Sequence, residues 1–180
     1  MNSRVLIGAI ALTAASLAHA QGLILSSPDI ADNRSLDTRQ VYRGFGCEGG
    51  NVSPALSWSH APAGTKSFAV TVYDPDAPTG SGWWHWSVFN LPATANGIPA
   101  AANSTTLPAG AVQGRSDYGT AQFGGACPPV GDKPHRYQFT VWALKVDKLP
   151  LDNQASGALV GYMLNANVLE KATLTPVYGR

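Results

Sequence analysis

The sequence predicts a mainly β protein: an antiparallel β-sandwich, Greek-key-like, with a peripheral C-terminal helix. Three observations lead there. Short apolar runs rich in Val, Phe, Tyr and Trp recur between turn-rich segments. The turns supply much of the polarity, with 19 Gly and 13 Pro but only 13% charged residues. Only one late stretch, Ser156 to Lys171, has convincing helical spacing. Short strands followed by a single helix suit packed β layers rather than repeated β-α units.

At the N-terminus, Arg4 precedes an apolar run from Val5 to Ala18, and Ala18-His19-Ala20 fits a small-x-small processing site. The run is shorter than the roughly 20 residues that span a bilayer. A cleaved leader over 1–20 is therefore expected in preference to a membrane anchor. Cleavage after Ala20 leaves one domain over 21–180, with a periplasmic or secreted address. Leu23 to Leu25 reads as a first strand, 28–40 as polar loop, and Leu56 to Trp58 as a short strand in a turn-rich stretch. Residues 91–114 are small, polar and aperiodic, and read as a surface excursion.

The strongest strands are Phe68–Tyr73, Trp86–Leu91 and Tyr137–Val146. The first ends in Asp74-Pro75-Asp76-Ala77-Pro78, whose prolines cannot donate ladder hydrogen bonds. The second begins among Trp83, Trp84, His85 and Trp86. In the third, Phe139, Val141 and Ala143 alternate with Thr140 and Trp142, so the two sets face opposite sides. In the helix, Ser156 is the expected N-cap and Lys171 suits the last turn. Ala158, Leu159, Tyr162, Met163, Ala166 and Leu169 form its expected core-facing stripe. Thr173 to Tyr178 reads as a last strand.

Lys and Arg number 12 against 11 Asp and Glu, and loss of Arg4 leaves the chain formally neutral. No basic cluster marks a nucleic-acid or anionic-membrane footprint. The two cysteines, Cys47 and Cys127, are too far apart for a CxxC redox or zinc motif. In an oxidising compartment a disulfide between them is expected, with two buried free thiols as the alternative.

The chemistry-bearing residues fall at strand ends. Asp74 closes one strand, while His85 and His135 each open another after a Pro/Gly loop. With Tyr137 they are expected to converge on one small cavity for an oxyanion or phosphate-like head group. Gly124 and Gly125 offer backbone N–H donors. Trp84 and Pro128-Pro129 offer apolar walls. Asp76 is assigned mainly to an Asx-type turn, with a site role as the alternative. Anion binding is expected to strengthen below about pH 6.5, as the imidazoles charge.

Five separated motifs resemble the phosphatidylethanolamine-binding protein family, in its bacterial Raf-kinase-inhibitor-like branch. They are Phe45-Gly-Cys47-Glu-Gly-Gly-Asn51-Val-Ser-Pro54 with Leu56-Ser-Trp58; Asp74-Pro-Asp76-Ala-Pro78; Trp84-His85-Trp86; Gly125-Ala-Cys127-Pro-Pro129; and Gly131-Asp-Lys-Pro-His135-Arg-Tyr137. The resemblance covers about residues 22–180. It implies the β-sandwich and an anion pocket at Asp74, His85, His135 and Tyr137, with Gly125 and Pro128 nearby. Ala126 departs from the branch, which has Pro there, and a looser pocket wall is expected. If Cys47 pairs with Cys127, Glu48 is expected at the rim.

The sequence offers no Gly-x-Ser-x-Gly elbow and no compact metal-ligand spacing, so no catalytic residue, metal or cofactor is assigned. The leading expectation is an exported small-ligand binding protein with an anion pocket, with regulation of a partner protein left open. The alternatives are an inhibitor of an envelope protease or other enzyme, and a hydrolase using the Asp/His pocket. A homodimer is left open.

Overall fold

The alternation read from the sequence builds a five-stranded antiparallel sheet. In this computed structural model, residues 21–180 are described; the leader expected over 1–20 lies outside the described residues. In chain order the strands are β1 (Ile24–Ser26), β2 (Arg43–Gly44), β3 (Cys47–Glu48), β4 (Leu56–Ser59), β5 (Ser67–Asp74), β6 (Trp83–Pro92) and β7 (Gly97–Ile98). Then come β8 (Val112–Gln113), β9 (His135–Arg136), β10 (Gln138–Leu144), helix α1 (Gly157–Asn167), β11 (Val168–Leu174) and β12 (Val177–Tyr178).

The large sheet has the order β11-β10-β5-β6-β8. Its strand β10 returns beside β5 after β6 and β8 have run outward on the other side, which is Greek-key order. A smaller sheet, β1-β4-β7, packs against one face. Leu25, Leu56, Trp58 and Ile98 from the small sheet meet Phe68, Val70, Val72, Trp86, Val88, Phe139, Val141 and Ala143 from the large one. Trp58 and Phe68 touch with ring centroids 5.4 Å apart. The opposite face, with Ala69, Phe89, Trp142 and Leu144, receives Val160 and Leu164 of α1.

Two expectations about the helix are corrected. It ends at Asn167 rather than Lys171, because Val168 to Leu174 pairs with β10 as an edge strand. The buried face is also a different one: Gly157, Val160, Gly161 and Leu164 are inside, whereas Leu159 and Tyr162 are exposed. The helix carries no charge, so hydropathy does not discriminate between its faces. Close approach does: a Cβ on Gly157 would meet the Trp84 ring at 2.2 Å. Ser156 is the N-cap as expected, accepting from the Leu159 N–H. The stretch 91–114 is more structured than expected, holding β7 and β8 and burying Ile98, Ala102 and Leu107. The last strand is interrupted at Thr175-Pro176, which separates β11 from β12.

Candidate functional site

Strand β5 delivers Asp74 to the end of the sheet, on the face that carries Phe68, Val70 and Val72. Asp74 pairs with Trp83 across to β6, while Tyr73 pairs with Trp84 and Val72 with Trp86. Two residues of β5 thus oppose three of β6, and His85 is the extra one. This bulge reverses the parity of the strand. Trp83 shares the Asp74 face. Trp84 goes to the other side, against Tyr73 (4.6 Å) and the glycines of α1.

A cavity of about 170 Å³ opens at this end. Asp74, His85, His135 and Tyr137 all line it, together with Pro128, Pro129 and Cys127. It is below the roughly 300–1,000 Å³ of drug-sized pockets, so it fits a small group. Asp74 is 3% exposed and accepts at both oxygens. Oδ1 takes the N–H groups of Asp76 (2.8 Å) and Ala77 (3.2 Å), and Oδ2 takes His135 Nδ1 (2.7 Å). The Asx-type turn expected of Asp76 is therefore made by Asp74. His135 is held from the far side by Asp132 Oδ2, 3.3 Å from Nε2. Its backbone pairs with Tyr178 of β12.

His85 Nδ1 lies 2.9 Å from the Gly124 carbonyl and 3.1 Å from that of Gly125. Carbonyls only accept, so Nδ1 carries the proton and donates. Burial lowers the His85 pKa below its usual 6.5, opposed by those carbonyls and by the charge of Asp74. The imidazole is thus neutral near pH 7, and charging it takes a lower pH than the sequence reading assumed. Its ring meets those of Tyr118 (5.5 Å) and Tyr137 (5.2 Å) edge-on. Burial also raises the pKa of both tyrosines, which stay protonated as donors. The Tyr118 hydroxyl donates to the Gly125 carbonyl, 2.9 Å away. Two cavity-lining groups, the Tyr137 hydroxyl and Trp83 Nε1, are buried without a partner.

Other expected site residues stand elsewhere. Trp84 lines a groove on the helix side, and Trp83 takes its place in the cavity. Asp76 binds the Arg136 N–H and guanidinium outside the cavity, and that guanidinium bond holds its carboxyl down at about 2. Glu48 is exposed in a neighbouring groove beside Tyr178 and Arg180. Gly124 and Gly125 contribute carbonyls instead of donors. The Gly124 N–H donates to the His85 carbonyl, and the Gly125 N–H to Asn51 Oδ1. Gly125 itself is required by close approach, since a Cβ would lie 2.3 Å from the Gln40 carbonyl oxygen. Ala126 ties the wall down: its N–H donates to the Gln40 carbonyl, a bond proline cannot make.

Cys47 and Cys127 are bonded, with Cα atoms 6.0 Å apart. The bridge joins the loops carrying Phe45 and Pro128-Pro129, which wall the cavity. Sequence reasoning missed Phe45, Trp83, Tyr118 and Asp132. Tyr118 sits in an aperiodic loop with no signal of its own; it is placed by stacking on Tyr42 at 4.0 Å. Among the described residues, no three His, Cys, Asp or Glu side chains group as metal ligands would, and no helix is long and apolar enough to cross a membrane.

The phosphatidylethanolamine-binding protein family profile matches residues 26–179. The chain is 63% identical to UPF0098 protein YbcL of Escherichia coli over 164 residues, covering 89% of this chain and 90% of that protein. It is 47% identical to UPF0098 protein YbhB of the same organism over 156 residues, covering 86% and 98%. The crystal structure of Escherichia coli YbcL, described as a new member of the mammalian PEBP family, superposes with a TM-score of 0.87 at 62% identity, covering 89% of this chain and 99% of that one. A PEBP homologue of Chlamydia trachomatis follows at TM-score 0.73 and 27% identity, covering 88% and 98%. With the family profile matched over nearly the whole described fold, the chain belongs to the phosphatidylethanolamine-binding protein family.

Proposed function

We propose that this is an exported binding protein whose cavity holds a small phosphate-type anion, free or as a phosphoryl head group. One observation carries the reading. Two buried donors without partners, the Tyr137 hydroxyl and Trp83 Nε1, line the same small cavity as His85 and the Asp74–His135 pair. Buried polar groups left unpaired cost roughly 1–3 kcal/mol each, and a bound oxyanion relieves that cost. Export is supported by the leader pattern of residues 1–20 and by the Cys47–Cys127 bridge, which suits an oxidising compartment. Regulation of a partner protein accompanies the reading only through the family resemblance.

Calorimetric titration with phosphate and phosphoethanolamine tests it, with a bare-anion affinity expected between millimolar and micromolar in order of magnitude. Tyr137→Phe and His85→Ala should each weaken binding about tenfold, the equivalent of one lost hydrogen bond. Equal affinity in wild type and both variants would remove the site. Saturable binding without turnover supports a binding protein over a hydrolase.

A further inference from the structure

Helix α1 covers only part of the second face of the large sheet. Ala69, Phe89 and Leu144 pack under Val160 and Leu164. Beside them a groove of about 400 Å³ stays open on the same face, and it shares no lining residue with the sheet-end cavity. We propose that this groove is a second binding site, for a sugar ring that carries a carboxylate, such as a uronic acid glycoside.

Strand register lays out the floor in rows. Trp84, Tyr73 and Gln138 lie side by side across β6, β5 and β10. The next row is Thr71, Thr140 and Thr173, and beyond it Lys171 stands beside Trp142. Gly157 and Gly161 of α1 back the Trp84 ring, and Asn165 closes the side. Several of these groups keep hydrogen-bonding capacity. Thr71 Oγ1 accepts from Trp142 Nε1 at 2.9 Å, which leaves its own hydrogen free. Asn165 Nδ2 donates to the Gly161 carbonyl, which leaves Oδ1 free to accept. Among the described residues, the Gln138 amide and Trp84 Nε1 have no hydrogen-bond partner. Lys171 has no carboxylate partner there either, and its ammonium sits 4.8 Å from the centre of the Trp142 ring.

The volume falls in the range of small-ligand sites. A lipid chain would bury the amide, hydroxyl and ammonium groups unpaired. An extended peptide finds no free backbone in the floor, since β5 and β10 are each paired on both sides. A single cation is a poor match for a polyanion. A pyranose offers what remains: an apolar C–H face for the aromatic rings, and hydroxyls that both donate and accept. A carboxylate on the ring meets the unpaired charge of Lys171.

The test is an NMR titration of the nitrogen-labelled protein with methyl glucuronide and with the uncharged methyl glucoside. The indole N–H signals of Trp84 and Trp142 should shift saturably, with a dissociation constant on the order of millimolar for the glucuronide. Trp83, which lines the other cavity, should not move. The glucuronide should bind about fivefold more tightly than the glucoside, the upper range for an exposed ion pair. Lys171→Gln should bring that ratio to one. Gln138→Ala should weaken both sugars about fivefold, one hydrogen bond's worth. Both side chains lie outside the core, so the variants keep the fold, which the rest of the spectrum verifies. No shift at Trp84 and Trp142 at millimolar sugar overturns the site. Shifts confined to Trp83 overturn it too, since they move the sugar to the sheet-end cavity. Equal affinity for the two sugars in the wild type, or affinities unchanged in both variants, also refutes the proposal. None of these outcomes bears on the anion reading, which rests on other residues.

Discussion

His85 is the residue where sequence chemistry and tertiary environment diverge most. Its type promises a charge switch near neutral pH, but burial keeps it neutral, against the pull of the two carbonyls it donates to. The sign of the linkage follows. A pKa lowered on folding means that stability is full above about 6.5 and is lost as pH falls toward the depressed value. The urea midpoint should therefore drop between about pH 7.5 and pH 5, and less so in His85→Gln, which cannot take up a proton. Equal slopes in both proteins would assign the loss to other groups. Asp74 carries a second prediction. Asp74→Asn leaves the carbonyl oxygen to cap the turn but removes the carboxylate that the buried His135 donates to, and losing a hydrogen bond to a charged group costs about 1.5–3 kcal/mol. Chemical denaturation measures it, and a loss below about 1 kcal/mol, the range of a surface pair, would refute the pair's structural role. The Asp76–Arg136 pair is more exposed. Its effect on stability should be small, should fade with added salt, and should disappear as pH falls from 3.8 to about 2.

At the scale of elements, one inserted residue in β6 decides which tryptophan faces the cavity. A regular strand would put Trp84 and Trp86 on one side. The bulge at His85 sends Trp86 into the core, Trp84 to the helix and Trp83 to the cavity. Helix α1 answers with Gly157 and Gly161, whose missing side chains admit the Trp84 ring. Gly157→Ala should accordingly destabilise the protein by about 1–3 kcal/mol, because overpacking outweighs the helix propensity gained. Unchanged or higher stability in urea would show that the Trp84 ring shifts freely. Gly161→Ala is milder, with its nearest Trp84 atom at 3.1 Å.

Across the whole molecule, three layers meet at one end where loops from distant parts of the chain close the cavity. The Cys47–Cys127 bridge spans 80 residues and ties two of these loops. Arg180 reinforces it, donating to the carbonyls of Pro128 and Gly46 at 2.6 and 2.8 Å. Thiol titration of the native protein should find no free thiol. The double Cys47→Ser, Cys127→Ser variant should lose about 2–4 kcal/mol, the typical range for a native disulfide. It should also bind phosphate more weakly, because Phe45 and Pro128 lose their common tether. Two reactive thiols in the oxidised protein would contradict the bridge.

By itself the sequence determined the strands β5, β6 and β10 and the mainly antiparallel β class. It also carried the helix N-cap and the four residues that line the cavity, while it left the pairing of Cys47 with Cys127 open against two free thiols. The features it determined follow from local rules: alternation, turn chemistry at Pro and Gly, and residue types placed at strand ends. The tertiary structure decided what depends on parity and competition. It set which tryptophan faces inward, because a single bulge reverses a strand. It chose which side of an uncharged helix is buried, because glycines admit an aromatic ring where hydropathy gives no preference. It assigned the glycine carbonyls, rather than their N–H groups, to the site, and it recruited Tyr118 and Asp132 from loops without periodicity. Above all it fixed the protonation of His85, since the cost of burying a charge depends on what surrounds the ring in three dimensions.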